Sequence, residues 1–453
     1  MVGVGWRRWV LGAVAGAGVL AVAGGLFTIS GAGSSPSTQP AQSAQSSPSS
    51  QSVAVGGSGA PAAAVDALTK TIMLAQQMLV SRPQDYATWA ALGLGYVQQA
   101  KATVDPSYYG KAEGAVARSL ALNTSVNFSG WGARAALKAA EHDFRGARAA
   151  ALRGISIDGY DSELYGALAD ADTQLGAYDQ AATAVQRMNQ LQPGVAAFTR
   201  ASYVFELRGQ VTRARSALDL ALQDSPDPAN IAFAQDYLGE LALNYGADAR
   251  GALQHFHAAL QVDPRDFASL AGQAKAEAAL GQLGPALVDY RAVVSAVPQP
   301  QYVLELGELE QSQHNPDAAR QYALFRTEEQ LFTANGVTLD TEPTLFEADH
   351  GDPAAALRYA AAGWRVRPFL EMADAYSWAE YVNGHYPAAL GWADKAAGTG
   401  WRNALFLFHR GMIEKALGRS AAARTDLHAA LTLNPHFNSL QTPVAQHALT
   451  ALH

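Results

Sequence analysis

Along DSELYGALADADTQLGAYDQAATAVQRMNQLQP, apolar and small residues fall at helical spacing on both sides of Gly176, which predicts two short helices joined by a tight turn. The first is expected near Ser162 to Leu175, with Tyr165, Leu168 and Ala169 on its buried face. The second is expected near Asp179 to Leu191, burying Ala181, Val185 and Met188. Glycine can end a helix in the left-handed conformation at no steric cost. Small residues such as Ala169 and Ala181 let the paired helices approach, and a bulkier side chain at Ala181 would overpack that contact at roughly 1–3 kcal/mol. Pro193 closes the second helix, because the residue before a proline is pushed out of the helical region.

The same Gly, Ala, Pro spacing recurs. Gly176, Ala181 and Pro193 are followed by Gly209, Ala214 and Pro226; Gly281, Ala286 and Pro298; Gly351, Ala356 and Pro368; and Gly418, Ala423 and Pro435. Chance alone would give about one such match at this composition, so the pattern marks a repeat of about 34 residues. The unit resembles the tetratricopeptide repeat. Its large residue, Leu-Gly pair and Tyr are matched by Trp89, Leu92, Gly93 and Tyr96. Its later positions are matched by Gly411, Gly418, Ala423, Leu427, Ala430 and Pro435, and again by Leu238, Gly239, Ala252, Phe256, Ala259 and Pro264. The resemblance implies an all-α fold, an α-solenoid of about ten stacked helix-turn-helix units over residues 62–437, the first of them reduced to a second helix ending at Pro83. A capping helix over 438–453 should follow. Two segments depart from the pattern: KATVDPSYYG lengthens one turn, and TEEQLFTANGVTLDTEP lengthens a second helix and its exit.

Ahead of the repeats, Arg7 and Arg8 precede an uncharged apolar run from Trp9 to Ile29. Such a run is long enough to cross a bilayer as a helix with the arginines on the cytoplasmic side. A cleaved signal ending at Ala21-Val22-Ala23 is the rival reading of residues 1–29. Either one places the repeats outside the cytoplasm, anchored or secreted. The glycines Gly12 and Gly16 would let two such helices approach closely. Residues 30–61 are almost all Ser, Gly, Ala, Pro and Gln and are expected to form a disordered tether. The C-terminal half, with PQYVLELGELEQSQ and FEADHGDPAAAL, also looks like exported repeat proteins of high-GC bacteria.

Composition narrows the function. Alanine makes up about a fifth of the 453 residues, which suits closely packed helices. The formal charge is −8 and no Lys/Arg block occurs, so a nucleic-acid partner has little electrostatic support. Cysteine is absent, which excludes disulfides and thiolate chemistry.

Candidate chemistry is sparse. LDTEPTLFEADHGDP gathers Asp340, Glu342, Glu347, Asp349, His350 and Asp352, a set that could bind a metal or share a proton. Turn chemistry accounts for part of it: Gly351 in the turn, Asp352 as a helix cap and Pro353 in the first helical position, with Asn315-Pro316-Asp317 repeating the scheme. His255 and His257, two apart on a helix, point in different directions, and His255 is expected at or near the surface. No P-loop, HExxH or GxSxG motif is present. The expectation is a protein that is not an enzyme, with no cofactor and no metal.

The repeat resemblance implies a curved array whose first helices form a concave groove. By that analogy the inward-facing residues are Asp170, Tyr203, Glu206, Glu240 and Glu308, then Glu371, Asp374, Trp378, Tyr381 and Phe408. The groove should be acidic, with an aromatic section toward the C-terminus and Lys275 as an isolated cation. Relatives that clamp a C-terminal carboxylate do so with paired Lys, Arg and Asn, which these first helices replace with Asp and Glu. The expected role is a protein-interaction or scaffold module, displayed outside the cytoplasmic membrane, binding a basic or aromatic-bearing protein segment. The alternative is an envelope protein that holds a glycan on Trp378, Tyr381 and Trp401.

Overall fold

The computed structural model describes residues 60–224, 227–337 and 340–452. The apolar run, the cleavage site and the tether fall outside these residues, apart from the tether's last two positions, Ala60 and Pro61, which open the first helix. Every regular element among the described residues is an α-helix. A lone helix α1 (Ala60–Ser81) comes first, followed by ten antiparallel hairpins. The first five are α2 (Tyr86–Thr103) with α3 (Tyr108–Leu122), α4 (Phe128–Ala140) with α5 (Phe144–Ile157), α6 (Ser162–Gln174) with α7 (Tyr178–Leu191), α8 (Val195–Glu206) with α9 (Val211–Asp224), and α10 (Pro228–Gly246) with α11 (Ala249–Val262). The sixth to eighth are α12 (Phe267–Ala279) with α13 (Leu283–Ala296), α14 (Pro300–Ser312) with α15 (Ala318–Ala334), and α16 (Thr341–His350) with α17 (Pro353–Val366). The last two are α18 (Leu370–Val382) with α19 (Tyr386–Ala396) and α20 (Ala404–Ala416) with α21 (Ser420–Leu433); α22 (Gln441–Thr450) closes the array.

Local chemistry explains these boundaries. Asp85, Asp143, Asp161, Asp227, Asp248, Asp266 and Asp352 each accept a backbone N–H at the start of the following helix, each worth about 1 kcal/mol. At the turn inside a hairpin, Gly176, Gly209, Gly281, Gly384 and Gly418 have φ between +68° and +77°. Val104, His142, Ala247 and His314 adopt the same left-handed conformation in four other turns without being glycine. Gly351 departs from the expected geometry with φ −134°. There the Glu347 carboxylate reaches over and accepts the Asp352 N–H at 2.7 Å, so the turn closes on a side chain. Asp317 makes no side-chain cap either; Asn315 accepts its N–H at 3.0 Å.

Small residues set the packing. Ala181, Ala214, Ala252, Ala286, Ala356 and Ala423 are all buried at the hairpin contact. A Cβ at Gly239 would lie 2.6 Å from the Phe256 ring, and one at Gly411 would lie 2.8 Å from Leu427, so the helices meet over bare backbone. In the third hairpin Leu164 and Gly166 take the buried positions expected of Tyr165 and Leu168, which are half-buried.

The array coils until it meets itself. His142 and Phe144, at the turn of the second hairpin, meet Arg367 in the loop between the eighth and ninth. The Tyr178 hydroxyl accepts the Leu370 N–H at 2.9 Å. Next to the turn of the fourth hairpin, Tyr203 donates to Glu371 at 3.2 Å; a Cβ at Gly209 in that turn would lie 2.6 Å from the Gly400 carbonyl oxygen. Trp401 donates to Tyr245 at 2.6 Å, and Asn434 to Asn244 at 3.3 Å. Turns inside the early hairpins therefore abut loops between the late ones, and one edge of the helical ribbon seals against the other. The two lengthened segments join this seam: Val337 packs with Tyr96, Val97, Tyr108 and Tyr109. Beyond it the capping segment folds inward, Asn438 donating to Glu308 at 2.9 Å and Gln441 to Asp349 at 3.0 Å.

Candidate functional site

First helices of successive hairpins present the residues expected to line a groove. Glu206, Glu240, Glu308, Glu371, Asp374, Trp378 and Phe408 are buried, while Asp170, Tyr203 and Tyr381 are half-buried. Several of their charges are met by neighbours on adjacent hairpins. Asp170 takes a two-pronged ion pair from Arg200 on the next first helix, at 2.8 and 2.9 Å. Lys275 stands 3.7 Å from Glu240 and 3.2 Å from Glu305, so it bridges three consecutive hairpins. His350 lies 3.3 Å from Glu308, and His409 lies 2.9 Å from Asp374. The Trp378 indole donates to Asp349 at 2.7 Å, and Tyr245 donates to Glu206 at 2.7 Å.

The expectation that Lys275 stands alone is corrected by this ladder. Arg200, Lys275, His350 and His409 each lie between about 30 and 42 positions from the carboxylate they meet. Opposite charges one repeat apart are a signal present in the sequence.

Aromatic residues expected near the end of the groove form a stack rather than an open platform. Trp378 lies over His409 at 4.2 Å and over Tyr381 at 4.5 Å, and Phe408 packs on Phe437 at 5.4 Å. Trp401 is buried with its N–H spent on Tyr245. A different aromatic group reaches the surface: Tyr376 stacks on Trp392 at 4.2 Å, Trp364 meets Trp392 edge-on at 4.9 Å, and Lys395 sits over both indoles.

Residues 340–352 separate into different environments. Asp340 caps α16 and pairs with Arg367 at 3.2 Å, both buried. Glu342 is wholly buried, and burial together with the Asp340 charge raises its carboxyl well above the usual carboxylate range. Glu347 pairs with Arg326 at 2.8 Å, while Asp349 and His350 turn to Trp378 and Glu308. Burial likewise raises Glu163 to about 7. Among the described residues no group of three or more acidic or histidine side chains could hold a metal ion. His255 is half-buried and bonds Gln235 at 2.7 Å, whereas His257 is exposed.

No protein-family model matches the sequence, and no curated protein does. Several solved structures are similar to the chain at low identity. A tetratricopeptide repeat protein from Parabacteroides merdae is 18% identical over 57% of this chain and 98% of that one, with a TM-score of 0.34. The Cut9–Hcn1 hetero-tetramer of the APC/C is 14% identical over 86% and 83%, with a TM-score of 0.40. A human IFIT1 dimer solved with PPP-AAAA is 13% identical over 82% and 86%, with a TM-score of 0.43. The class of the molecule, an α-solenoid of helical hairpins, rests on its own helices. Among the described residues no helix is long and apolar enough to cross a membrane.

Proposed function

We propose that the chain is a non-catalytic protein-interaction or scaffold module, carried outside the cytoplasmic membrane by its N-terminal apolar segment, which recruits a partner with basic or aromatic side chains. The observation that carries this reading is the polar inner face. A coil built only to hold itself together would be at least as stable with apolar residues there, because buried ion pairs rarely repay their desolvation. Asp170, Arg200, Glu206, Glu240, Lys275, Glu305 and Glu308 line successive first helices instead. Catalysis finds little support: the buried histidine–carboxylate pair, His409 with Asp374, is sealed under Trp378, and the exposed pair, His385 with Glu380, joins residues five apart at the end of one helix.

Capture of a partner from intact cells by the full chain tests the inner face. Glu206→Gln with Glu240→Gln keeps shape and removes two charges, and capture should fall at least tenfold while helix content by circular dichroism is unchanged. Undiminished capture would take the inner face out of the account.

Glycan binding is a second reading, and the surface trio Trp364, Tyr376 and Trp392 favours it over the buried Trp378 and Trp401. Half-exposed stacked rings are what a sugar face packs against. Quenching of tryptophan fluorescence by cell-wall fragments should be lost in Trp392→Ala. Quenching that persists in that variant removes the trio as the site.

A further inference from the structure

Among the acidic and histidine side chains of residues 340–352, Glu342 is the one without a partner. It is 0% exposed, and beyond its own backbone amide neither carboxyl oxygen has a hydrogen-bond partner among the described residues. Its charged neighbours come from three places: Asp340 caps the same helix, Arg367 stands in the loop between α17 and α18, and Glu371 lies in the first turn of α18. The single guanidinium among them is already committed to Asp340 at 3.2 Å. Arg367 and Glu371 also form the late side of the seam. Arg367 meets His142 at 3.4 Å and the Phe144 ring at 5.5 Å, and Glu371 accepts from Tyr203 at 3.2 Å. The Tyr178 hydroxyl, which takes the Leu370 N–H, faces the charges of both. Glu342 therefore lies among the groups that hold the seam shut.

We propose that the seam is a pH-sensitive latch, closed while Glu342 is uncharged and loosened when that carboxyl ionises. Ionisation sets three carboxylates around one guanidinium, and a buried carboxylate with neither donors nor a counter-ion of its own is strongly disfavoured. Burial and the Asp340 charge accordingly hold the Glu342 carboxyl well above the usual carboxylate range. Once charged, Glu342 is relieved by drawing Arg367 towards itself, away from Asp340 and His142, or by admitting water between α16 and the loop that carries Arg367. Either route disturbs the same seam contacts. A carboxyl raised in the folded state contributes stability that is complete below its ordinary range and is lost as the pH climbs towards its folded value. The other groups act differently. Tyr178 is raised well above its ordinary value by burial and stays neutral. His142 accepts from Arg367 through Nδ1, so its ring is neutral there, and protonating it weakens the seam on the acid side only. This inference goes beyond the interaction reading and does not depend on it.

Hydrogen exchange and urea unfolding of the full chain between about pH 7 and about pH 9, above the ordinary imidazole range, test the latch. Exchange, corrected for its intrinsic rate, is read over residues 140–147 and 365–371 and over α11, which lies outside the cluster. Protection of the two seam segments should fall at least tenfold as the pH rises, while that of α11 holds. Glu342→Gln mimics the uncharged carboxyl and should remove the fall. Glu342→Met, apolar and of similar length, should remove it as well and serves if the amide does not fold. Burial also raises Glu163 and Glu277 to about 7 and lowers Lys101 to about 8. Those groups sit on α6, α12 and α2 and remain in both variants, so the difference from the native sequence isolates Glu342. Seam protection that does not change with pH, or that falls equally in the native chain and the variants, would overturn the proposal. So would a pH-dependent loss of urea stability that Glu342→Gln removes while seam exchange stays constant, because the charge would then act on α16 and not on the seam.

Discussion

Gly209 and Gly281 end equivalent helices with nearly the same backbone, φ +68° and +76°, yet their surroundings differ. A Cβ at Gly209 would lie 2.6 Å from the Gly400 carbonyl oxygen, whereas one at Gly281 would meet nothing within 4 Å. Gly176 belongs with Gly209, facing the Pro368 carbonyl in the same way. One glycine position of the repeat therefore serves two purposes. In every such turn it supplies the left-handed conformation; in the third and fourth hairpins it also clears space for a loop almost two hundred residues away. The repeat rule is local, and the seam is a second rule written over part of it.

The largest effect should come from Arg367, the charge buried in the seam. It pairs with Asp340 at 3.2 Å and lies 4.0 Å from the Phe369 ring and 5.5 Å from that of Phe144. Arg367→Ala strands the Asp340 carboxylate away from water and should cost about 3–5 kcal/mol. Arg358 pairs with Asp352 at the surface, 70% and 58% exposed, and Arg358→Ala should cost less than about 1 kcal/mol. Urea unfolding of the two variants measures the difference. Equal costs would mean that the seam contributes no more than a surface contact.

Alanine at the two glycines divides the purposes directly. Gly281→Ala incurs only the left-handed conformation, about 1 kcal/mol after the gain from a stiffer unfolded chain. Gly209→Ala adds a clash against backbone, about 1–3 kcal/mol more. Hydrogen exchange over residues 397–403 should rise in the second variant and stay unchanged in the first. Matching stabilities would place the Gly400 loop away from the fourth hairpin and dissolve the comparison.

Much of the local rule was legible in the sequence. Two helices around a glycine, alanines at their crossing and the repeat length all follow from spacing, and four of the five aligned glycines are left-handed as expected. The fifth, Gly351, escapes because a carboxylate four residues earlier closes its turn, an interaction that spacing does not encode. The seam was not legible for a related reason. Its contacts join residues such as Tyr178 and Leu370 or Tyr245 and Trp401, 192 and 156 positions apart, and no periodicity connects them. Its trace lay in the two departures from the repeat, KATVDPSYYG and TEEQLFTANGVTLDTEP, which read as isolated lengthenings and prove to pack on each other through Tyr108, Tyr109 and Val337. The residues read as lining a groove do sit on first helices, and most of them are buried there.

The smallest effect sharpens the local rule by running it backwards. Ala247 is exposed at the turn of the fifth hairpin with φ +49°, a conformation an L-residue adopts at roughly 1–2 kcal/mol. Glycine removes that strain, while its freer unfolded chain returns about 0.4–1 kcal/mol. Ala247→Gly should therefore stabilise by up to about 1 kcal/mol, opposite in sign to Gly281→Ala and close to it in size. The neighbouring Asn244 and Tyr245 reach the seam through Asn434 and Trp401, but the Ala247 side chain does not, so hydrogen exchange over 397–403 and 434–440 should not change. A stabilisation accompanied by slower exchange in those loops would show that turn strain and seam closure are coupled, and the two rules would then have to be treated as one.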